Sequence, residues 1–305
     1  MSEVIVSYLK NGAGFYSEFF FMINHYIYSK KNNLKFILNT EQWMFKSVKG
    51  WEDYFEPLEN KVLQYGEIPK EYIFGKIIED YSIEEYKNAI KDIYILNTNT
   101  KNRVMEVKYK FGLIDGKYDS IFIRRGDKLL GESKVYNTQK YIELLLLKNP
   151  FCNTIFLQTD DYNCFLDIKK YIEQYNLKIQ VFTLCEQHIK GVFVYNHHNI
   201  STNIQKNVDY VNLIKKEINY KSVNQMNSSE IYNHTVDMVV GIDILKTSEN
   251  CVLDYQSNVS RFIKLTHNNP NNVFDIEGFD LDLTKKICPS FSESVYDDPN
   301  TWRHS

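Results

Sequence analysis

The chain alternates two patterns of hydrophobic and polar residues along most of its length. Short runs of consecutive apolar residues are typical of buried strands, and apolar residues that recur every three or four positions are typical of amphipathic helices. The segment NTIFLQT shows the first pattern, and the helix-like stretch after it places Phe165, Ile168 and Ile172 on one face. This succession predicts an α/β fold.

Each predicted element follows from its local pattern and from the turn and capping residues at its ends. Strands are predicted at Val4–Leu9, Leu34–Leu38, Tyr118–Ile123, Asn153–Thr159, Lys178–Phe182, Gly191–Tyr195, Cys251–Asp254 and Val273–Ile276. Helices are predicted from the turn at 11–14 to about Ser29, and at Ser82–Tyr94, Asn102–Lys110, Thr138–Leu147, Asn163–Tyr175, Asp209–Ile218, Glu230–Lys246 and Ser257–Thr266. From about Tyr118 the order is that of a doubly wound sheet, in which ligands bind at the carboxyl ends of the strands.

Composition narrows the class of protein. A length of 305 residues favours two domains, and 43% hydrophobic residues suffice for a sizeable core. A net charge of −3 gives no sign of a basic nucleic-acid-binding surface. The five cysteines are widely spaced and form no CxxC, which disfavours a disulfide scaffold or a zinc site. With no signal peptide or membrane span recognised, a cytoplasmic location is expected.

The segment IFIRRGDKLLGE carries an unusual concentration of charge at a predicted strand end. Arg124, Arg125 and Lys128 can bind a diphosphate, because Arg supplies a rigid fork of donors and Lys a point charge. Asp127 can orient an arginine, and Glu132 lies where a general base could act. The alternative is a salt-bridged corner without a ligand.

Two other motifs carry less weight. Gly12 and Gly14 form a GxG turn that lacks the third glycine of a dinucleotide fingerprint, so a plain strand-to-helix turn is an equal interpretation. Asp280 and Asp282 form a DxD in an acid-rich tail, a spacing that arises easily by chance, and a metal-free site is preferred.

Five segments, in order, resemble the α1,6-fucosyltransferases, the core-fucosylating and nodulation enzymes. RRGDKLLGE resembles their RR-x-DK-x-x-x-E motif, and IFLQTDD resembles VYLATDD. LKTSENCVLDYQSNVSR resembles LSQADFLVCTFSSQVCR. Upstream, GAGFYSEFFFMINHY and EQWMFKSVKGWEDYFEPL resemble the Gly-rich loop with its helix and the segment NWRYATGGWETVFRPV. The resemblance extends from about residue 8 to 266.

The resemblance implies a GT-B-type fold, in which two Rossmann-like domains face each other across a cleft. The expected domains are an acceptor-side domain over 1–112, a GDP-sugar-binding domain over 113–288 and a tail over 289–305. It also implies a GDP-fucose donor, a glycan or glycoconjugate acceptor, inversion at the anomeric carbon, and neither a metal nor another cofactor. Nucleic-acid and membrane-spanning roles are not expected.

The resemblance also assigns roles to residues. Arg124 and Arg125 would hold the diphosphate, Lys128 would neutralise the leaving phosphate, and Glu132 would deprotonate the acceptor hydroxyl. The full set expected at the donor is Arg124, Arg125, Asp127, Tyr141, Asp160, Asp161, Ser257, Asn258, Gly12 and Gly14.

The chain departs from the family pattern at two positions. Phe122 stands where the family usually has a His, and the RRGD wording also resembles the α1,2-fucosyltransferases, so the linkage stays open. The family's guanine-binding Asp falls on Gly241, which leaves Asp243 or Asp237 as substitutes. Two alternatives are kept: a GT-B glycosyltransferase that uses another nucleotide sugar, and a non-catalytic nucleotide-sugar- or glycan-binding protein on the same fold.

Overall fold

The structure is a computed structural model, and it describes residues 4–9, 13–58, 72–73, 81–126, 136–192 and 222–278. By its internal contacts the chain forms two compact units. Within the described residues, the first unit comprises 4–9, 13–43, 56–58, 72–73 and 81–95. The second unit comprises 44–55, 96–126, 136–192 and 222–278.

The first unit is built on a parallel sheet with the strand order β2-β1-β3. Its strands are β1 (Val4–Tyr8), β2 (Lys35–Asn39) and β3 (Tyr72–Ile73). Its helices are α1 (Phe15–Lys31) and α2 (Ile83–Ile93). Ser82 begins α2 with a capping box, because its side chain accepts from the Glu85 amide while Glu85 accepts from the Ser82 amide.

The second unit is built on a parallel sheet with the strand order β6-β5-β4-β7-β8. Its strands are β4 (Asp119–Ile123), β5 (Thr154–Thr159), β6 (Gln180–Thr183), β7 (Cys251–Leu253) and β8 (Val273–Asp275). Its helices are α3 (Thr98–Phe111), α4 (Thr138–Lys148), α5 (Tyr162–Gln174), α6 (Ser228–Lys246) and α7 (Asn258–Thr266). Every residue of β4 is buried, as expected for a central strand covered on both faces.

The strand order of the second unit fixes where a ligand can bind. The chain begins at the central strand β4, proceeds outward through β5 and β6, and then returns to the other side of β4 with β7 and β8. The direction of winding therefore reverses beside β4. In doubly wound sheets this reversal opens a crevice at the carboxyl ends of the strands, which is the usual ligand site.

The α/β prediction is confirmed, and the predicted elements that fall within the described residues appear within a few residues of their expected bounds. The predicted helix Asp209–Ile218 lies outside the described residues, as does most of the predicted strand Gly191–Tyr195. The sequence-based division at residue 112 assigns α3 to the first domain. The contacts that helix α3 makes place it in the second unit instead, where it packs on α6.

Over the described ranges, no helix combines the length and the apolar character that crossing a bilayer requires.

Candidate functional site

Charged residues follow three neighbouring strands at the carboxyl edge of the second sheet. Arg124 and Arg125 follow β4, Asp160 and Asp161 follow β5, and Asp254 follows β7. Because β4 pairs in parallel with both β5 and β7, these strand ends meet at the point where the winding reverses. We call this set of five residues the carboxyl-edge cluster.

Asp160 organises the cluster. One of its carboxylate oxygens pairs with Nη1 of Arg124 and accepts from the Val192 amide at 3.1 Å, and the other accepts from the Arg125 amide at 2.6 Å. Nη2 of Arg124 also donates to the Val192 carbonyl at 3.3 Å. The Arg124 side chain is held on one side yet remains 22% exposed. A fixed, accessible guanidinium is suited to binding phosphate.

Arg125 is oriented inward instead. Its Nη2 donates to the Tyr136 carbonyl at 2.6 Å, and only 7% of the residue is exposed. Tyr141 packs in the hydrophobic core beneath this position, and burial raises the pKa of its phenol above the ordinary value. The predicted roles of Arg125 and Tyr141 at the donor stay predictions, and both residues support the loop that carries Arg124.

Asp161 begins helix α5. Its side chain accepts from the Asn163 amide at 2.9 Å, which is the geometry of a helix N-cap. Burial is the main cause that raises the pKa of the Asp161 carboxyl. The two adjacent aspartates thus have different roles, since Asp160 pairs with Arg124 and Asp161 caps the beginning of helix α5.

The β7 side of the cluster leads into helix α7. Ser257 caps α7 by accepting from the Ser260 amide at 3.1 Å, and Asn258 accepts from Arg261 at 3.0 Å. Burial raises the pKa of Asp254 to about 6. Asp254 is therefore a carboxylate whose protonation changes near neutral pH.

Gly126 allows the chain to turn after the two arginines. Its φ is +64°, in the left-handed region that favours glycine. A Cβ at this position would meet the backbone of Val192, the same residue that contacts Arg124 and Asp160. The turn at Gly126 and the Val192 backbone therefore both hold Arg124 and Asp160 in position.

The residues considered for guanine lie on helix α6. Asp237 pairs with Arg103 at 3.3 Å, and Asp243 pairs with Lys246 at 2.8 Å. Gly241 packs against the side chain of Gln158 on β5, so that an Asp at this position would require Gln158 to move. The assignment of guanine binding to Asp237 or Asp243 stays a prediction.

Several predicted residues cannot be placed. Gly12, Asp127, Lys128 and Glu132 lie outside the described residues, as does the DxD of the tail. Gly14 is described, and it is the N-cap residue of helix α1 in the first unit. Within the ranges that the structure describes, no three or more His, Cys, Asp or Glu side chains are grouped so that they could hold a metal ion.

His234 is a site residue that the sequence interpretation missed. It lies in the second turn of α6, is half-buried, and interacts electrostatically with both Arg124 and Asp160. Burial and the Arg124 charge lower its pKa to about 4. The available signal was its position near the beginning of a helix that precedes β7, because such a beginning lies at the carboxyl edge of the sheet.

Strand order and strand-end chemistry define this unit as a doubly wound α/β domain with a candidate anion site beside its central strand. No protein-family model and no curated protein sequence matches the chain. Its fold is similar to that of a NodZ alpha-1,6-fucosyltransferase solved after soaking with GDP-fucose, with a TM-score of 0.57 at 11% identity. That likeness covers 94% of this chain and 98% of the other.

A fucosyltransferase NodZ from Bradyrhizobium is also similar, with a TM-score of 0.56, 10% identity, and coverage of 87% of this chain and 93% of that one. A NodZ alpha-1,6-fucosyltransferase co-crystallised with GDP gives a TM-score of 0.54 at 11% identity over the same shares. The chain therefore has the fold of these fucosyltransferases, and the predicted GT-B class is confirmed at the level of fold.

Proposed function

We propose that the chain is a glycosyltransferase that transfers L-fucose from GDP-fucose to a glycan hydroxyl, with inversion and without a metal. The observation that carries the proposal is the Arg124–Asp160 pair, because it holds an accessible cation at the winding reversal of a fold similar to that of a fucosyltransferase.

The proposed chemistry is a single displacement. The acceptor oxygen forms a bond to the anomeric carbon of fucose while the bond from that carbon to the phosphate oxygen breaks. Glu132 accepts the hydroxyl proton, and GDP leaves with the bonding electrons. Arg124 and Lys128 stabilise the charge that develops on the leaving phosphate, which is the electrostatic task that a metal performs in other transferases.

A second candidate is a transferase of the same fold that uses another nucleotide sugar. The observation that favours it lies on α6, where Gly241 occupies the position at which the family resemblance expects the guanine-reading Asp. Asp237 and Asp243 are each already paired with a cation. This arrangement favours a donor whose base is not bound by a carboxylate on α6.

Calorimetric titration with GDP, UDP, GDP-fucose and UDP-sugars separates the two candidates. We expect GDP and GDP-fucose to bind more tightly than the uridine compounds, and equal or reversed affinities contradict the guanine assignment. The titration is repeated in excess chelator, where a metal-independent protein retains its affinity.

Transfer is tested with a glycan array and radiolabelled GDP-fucose. We expect Glu132→Gln to retain donor affinity and to lose transfer by about 100-fold or more, since general bases contribute on this scale. Glu143→Gln is the matched control, because Glu143 is exposed on α4 and bonds only to the neighbouring Gln139 in the described structure. Normal transfer by Glu132→Gln would remove Glu132 from the mechanism.

A cytoplasmic location, expected because no signal peptide or membrane span was recognised in the sequence, stays a prediction that fractionation of the native cell can test.

A further inference from the structure

Two contacts and one electrostatic interaction along helix α6 establish how it lies on the sheet. Near its end, the Ile244 carbonyl accepts from the hydroxyl of Tyr118, the residue before β4, at 2.6 Å. In its middle, Gly241 packs against Gln158 within β5. Near its beginning, His234 interacts with Arg124 and Asp160 beyond the strand ends. The helix therefore runs from the carboxyl edge to the amino edge.

The spacing along the helix agrees with this arrangement. His234 and Gly241 are separated by two turns, which place them on the same face and about 10 Å apart along the axis. Gln158 lies within β5 and Asp160 just beyond its end, so the face that packs on β5 at Gly241 reaches the carboxyl-edge cluster at His234. The position of His234 follows from helix geometry as well as from electrostatics.

The beginning of α6 is held firmly. Asn227 and Glu230 form a capping box, and Ser47 donates to the Ser228 carbonyl at 2.8 Å. Tyr232 stacks on Tyr54 with ring centroids 5.8 Å apart. A side chain on this turn is therefore preorganised for contact with a ligand.

His234 retains unused hydrogen-bonding capacity. Among the residues that the structure describes, neither ring nitrogen has a hydrogen-bond partner, and neither is fully buried. Accessible ring nitrogens that the described residues leave unbonded, next to a partly exposed guanidinium, are available to bind an anionic ligand.

We propose that His234 binds the diphosphate of the donor beside Arg124 and takes up a proton as the donor binds. This inference rests on the proposed function and adds a contact residue to its donor site. In the free protein, burial and the Arg124 charge lower the pKa of the imidazole and thereby favour its neutral form. A bound diphosphate brings negative charge to the same place, which favours the imidazolium and makes both ring nitrogens donors.

Other charged groups near α6 are already engaged. Asp237 of α6 pairs with Arg103 of α3, which also pairs with Glu106. On α7, Arg261 donates to Asn258, and Lys264 donates to backbone carbonyls. The groups that interact with His234 from the strand ends are Arg124, just after β4, and Asp160, just after β5.

Isothermal titration calorimetry with GDP-fucose, performed near pH 6 in buffers of different ionisation enthalpy, measures the proton uptake directly. GDP-fucose is suitable because its diphosphate is a diester and does not titrate near neutral pH. For the wild type we expect net uptake that declines toward pH 8, where the bound imidazole loses its proton. We expect His234→Gln to lose the part of this uptake that the imidazole supplies, to keep any uptake by Asp254, and to bind about tenfold more weakly.

His234→Ala is expected to bind more weakly than His234→Gln, because Gln keeps one amide donor. His188→Gln is the matched control, since His188 is an exposed histidine of the same unit. Unfolding curves of each variant separate a lost contact from a lost fold. If His234→Gln keeps the wild-type affinity and proton uptake, the inference is overturned, although the proposed function survives.

Other outcomes separate the two proposals. If a UDP-sugar binds with the same His234-dependent uptake, the guanine assignment fails but the role of His234 stands. If the wild type binds no nucleotide sugar and no inorganic pyrophosphate, both proposals fail.

Discussion

Polar residues lie at both edges of the second sheet, but the two edges differ in whether these residues are hydrogen-bonded to one another. At the amino edge, Asp119 accepts from the side-chain amides of Asn149 and Asn250, each at 2.8 Å. Nearby, the hydroxyl of Ser248 is bonded to Ser120 at 2.7 Å and to His267 at 3.2 Å. These groups complete one another inside the protein.

At the carboxyl edge the same kinds of residue remain accessible. Arg124 is partly exposed, Asp254 has a raised pKa, and His234 has unpaired ring nitrogens as far as the described residues show. Buried polar groups alone therefore do not indicate a binding site. The useful criterion is whether accessible charge and bonding capacity are left over at the edge where the fold opens a crevice.

The largest expected effect is that of Arg124→Ala at the carboxyl edge. It should weaken GDP-fucose binding about 100-fold, because a charge-assisted contact to phosphate is lost. Titration calorimetry measures the change. Lys108→Ala, which removes a cation that bonds Asp115 and Thr247 near the amino edge, should leave the affinity unchanged. Equal losses in both variants would contradict a specific site.

The second effect should fall on stability alone. Asp119→Ala leaves two amide groups without their acceptor, so we expect the free energy of unfolding to fall by about 2–3 kcal/mol. Urea denaturation gives this value, and Asp119→Asn, which keeps one acceptor oxygen, should lose less. Donor affinity of the folded variant should match the wild type. A large loss of affinity would extend the site to the amino edge.

Two glycines separate backbone strain from site geometry. Gly116 and Gly126 both have positive φ, but a Cβ at Gly116 meets open space, whereas one at Gly126 meets the Val192 backbone. Gly116→Ala should cost about 1 kcal/mol of stability from strain alone. Gly126→Ala should cost about 2–3 kcal/mol and also weaken donor binding, because the Val192 backbone must shift. If Gly116→Ala and Gly126→Ala have similar effects on the free energy of unfolding and on donor affinity, the Val192 backbone can shift at little cost.

The smallest effect concerns pH. In the folded protein burial raises the pKa of Asp254 to about 6, above its ordinary value. The folded state therefore binds this proton more readily than the unfolded state does. As the pH rises from the ordinary pKa of 3.8 to the folded value of about 6, ionisation of Asp254 lowers the free energy of unfolding, and the loss persists at higher pH. The full shift corresponds to roughly 3 kcal/mol, but Asp254 is partly exposed and solvent screens its charge, so Asp254→Asn should add only about 1 kcal/mol of stability near pH 8 and nothing near pH 3. Denaturation at both pH values measures the difference, and a constant difference would assign the effect to packing.

Much of the fold could be predicted from local pattern. Ser82 with Glu85 marks the beginning of α2, and the apolar runs of β4 and β5 mark buried strands. The charged residues after β4 and β5 could be expected to meet, because parallel strands end at the same edge. That Asp160 rather than a local residue holds Arg124 depends on the register of β4 against β5, which no single segment encodes.

Other parts of the site depend on contacts that are distant in sequence. Arg125 resembles Arg124 in sequence but is turned toward the Tyr136 carbonyl, because the chain after it bends at Gly126. His234 joins the cluster only through the packing of α6 across the sheet. Its neighbouring residues are those of a surface histidine, and the only signal was its position near the beginning of the helix that precedes β7.

The central position of β4 also orders events during synthesis. This strand emerges from the ribosome before its neighbour β7, so one side of it stays open until residues 251–252 arrive to pair with it. An open strand side is a template for pairing with other chains. Arg124 and Asp160 can meet before then, whereas Asp254 and the α7 side join last. Under the proposed function, a nascent chain would reach its full affinity for the donor only after β7 has paired with β4.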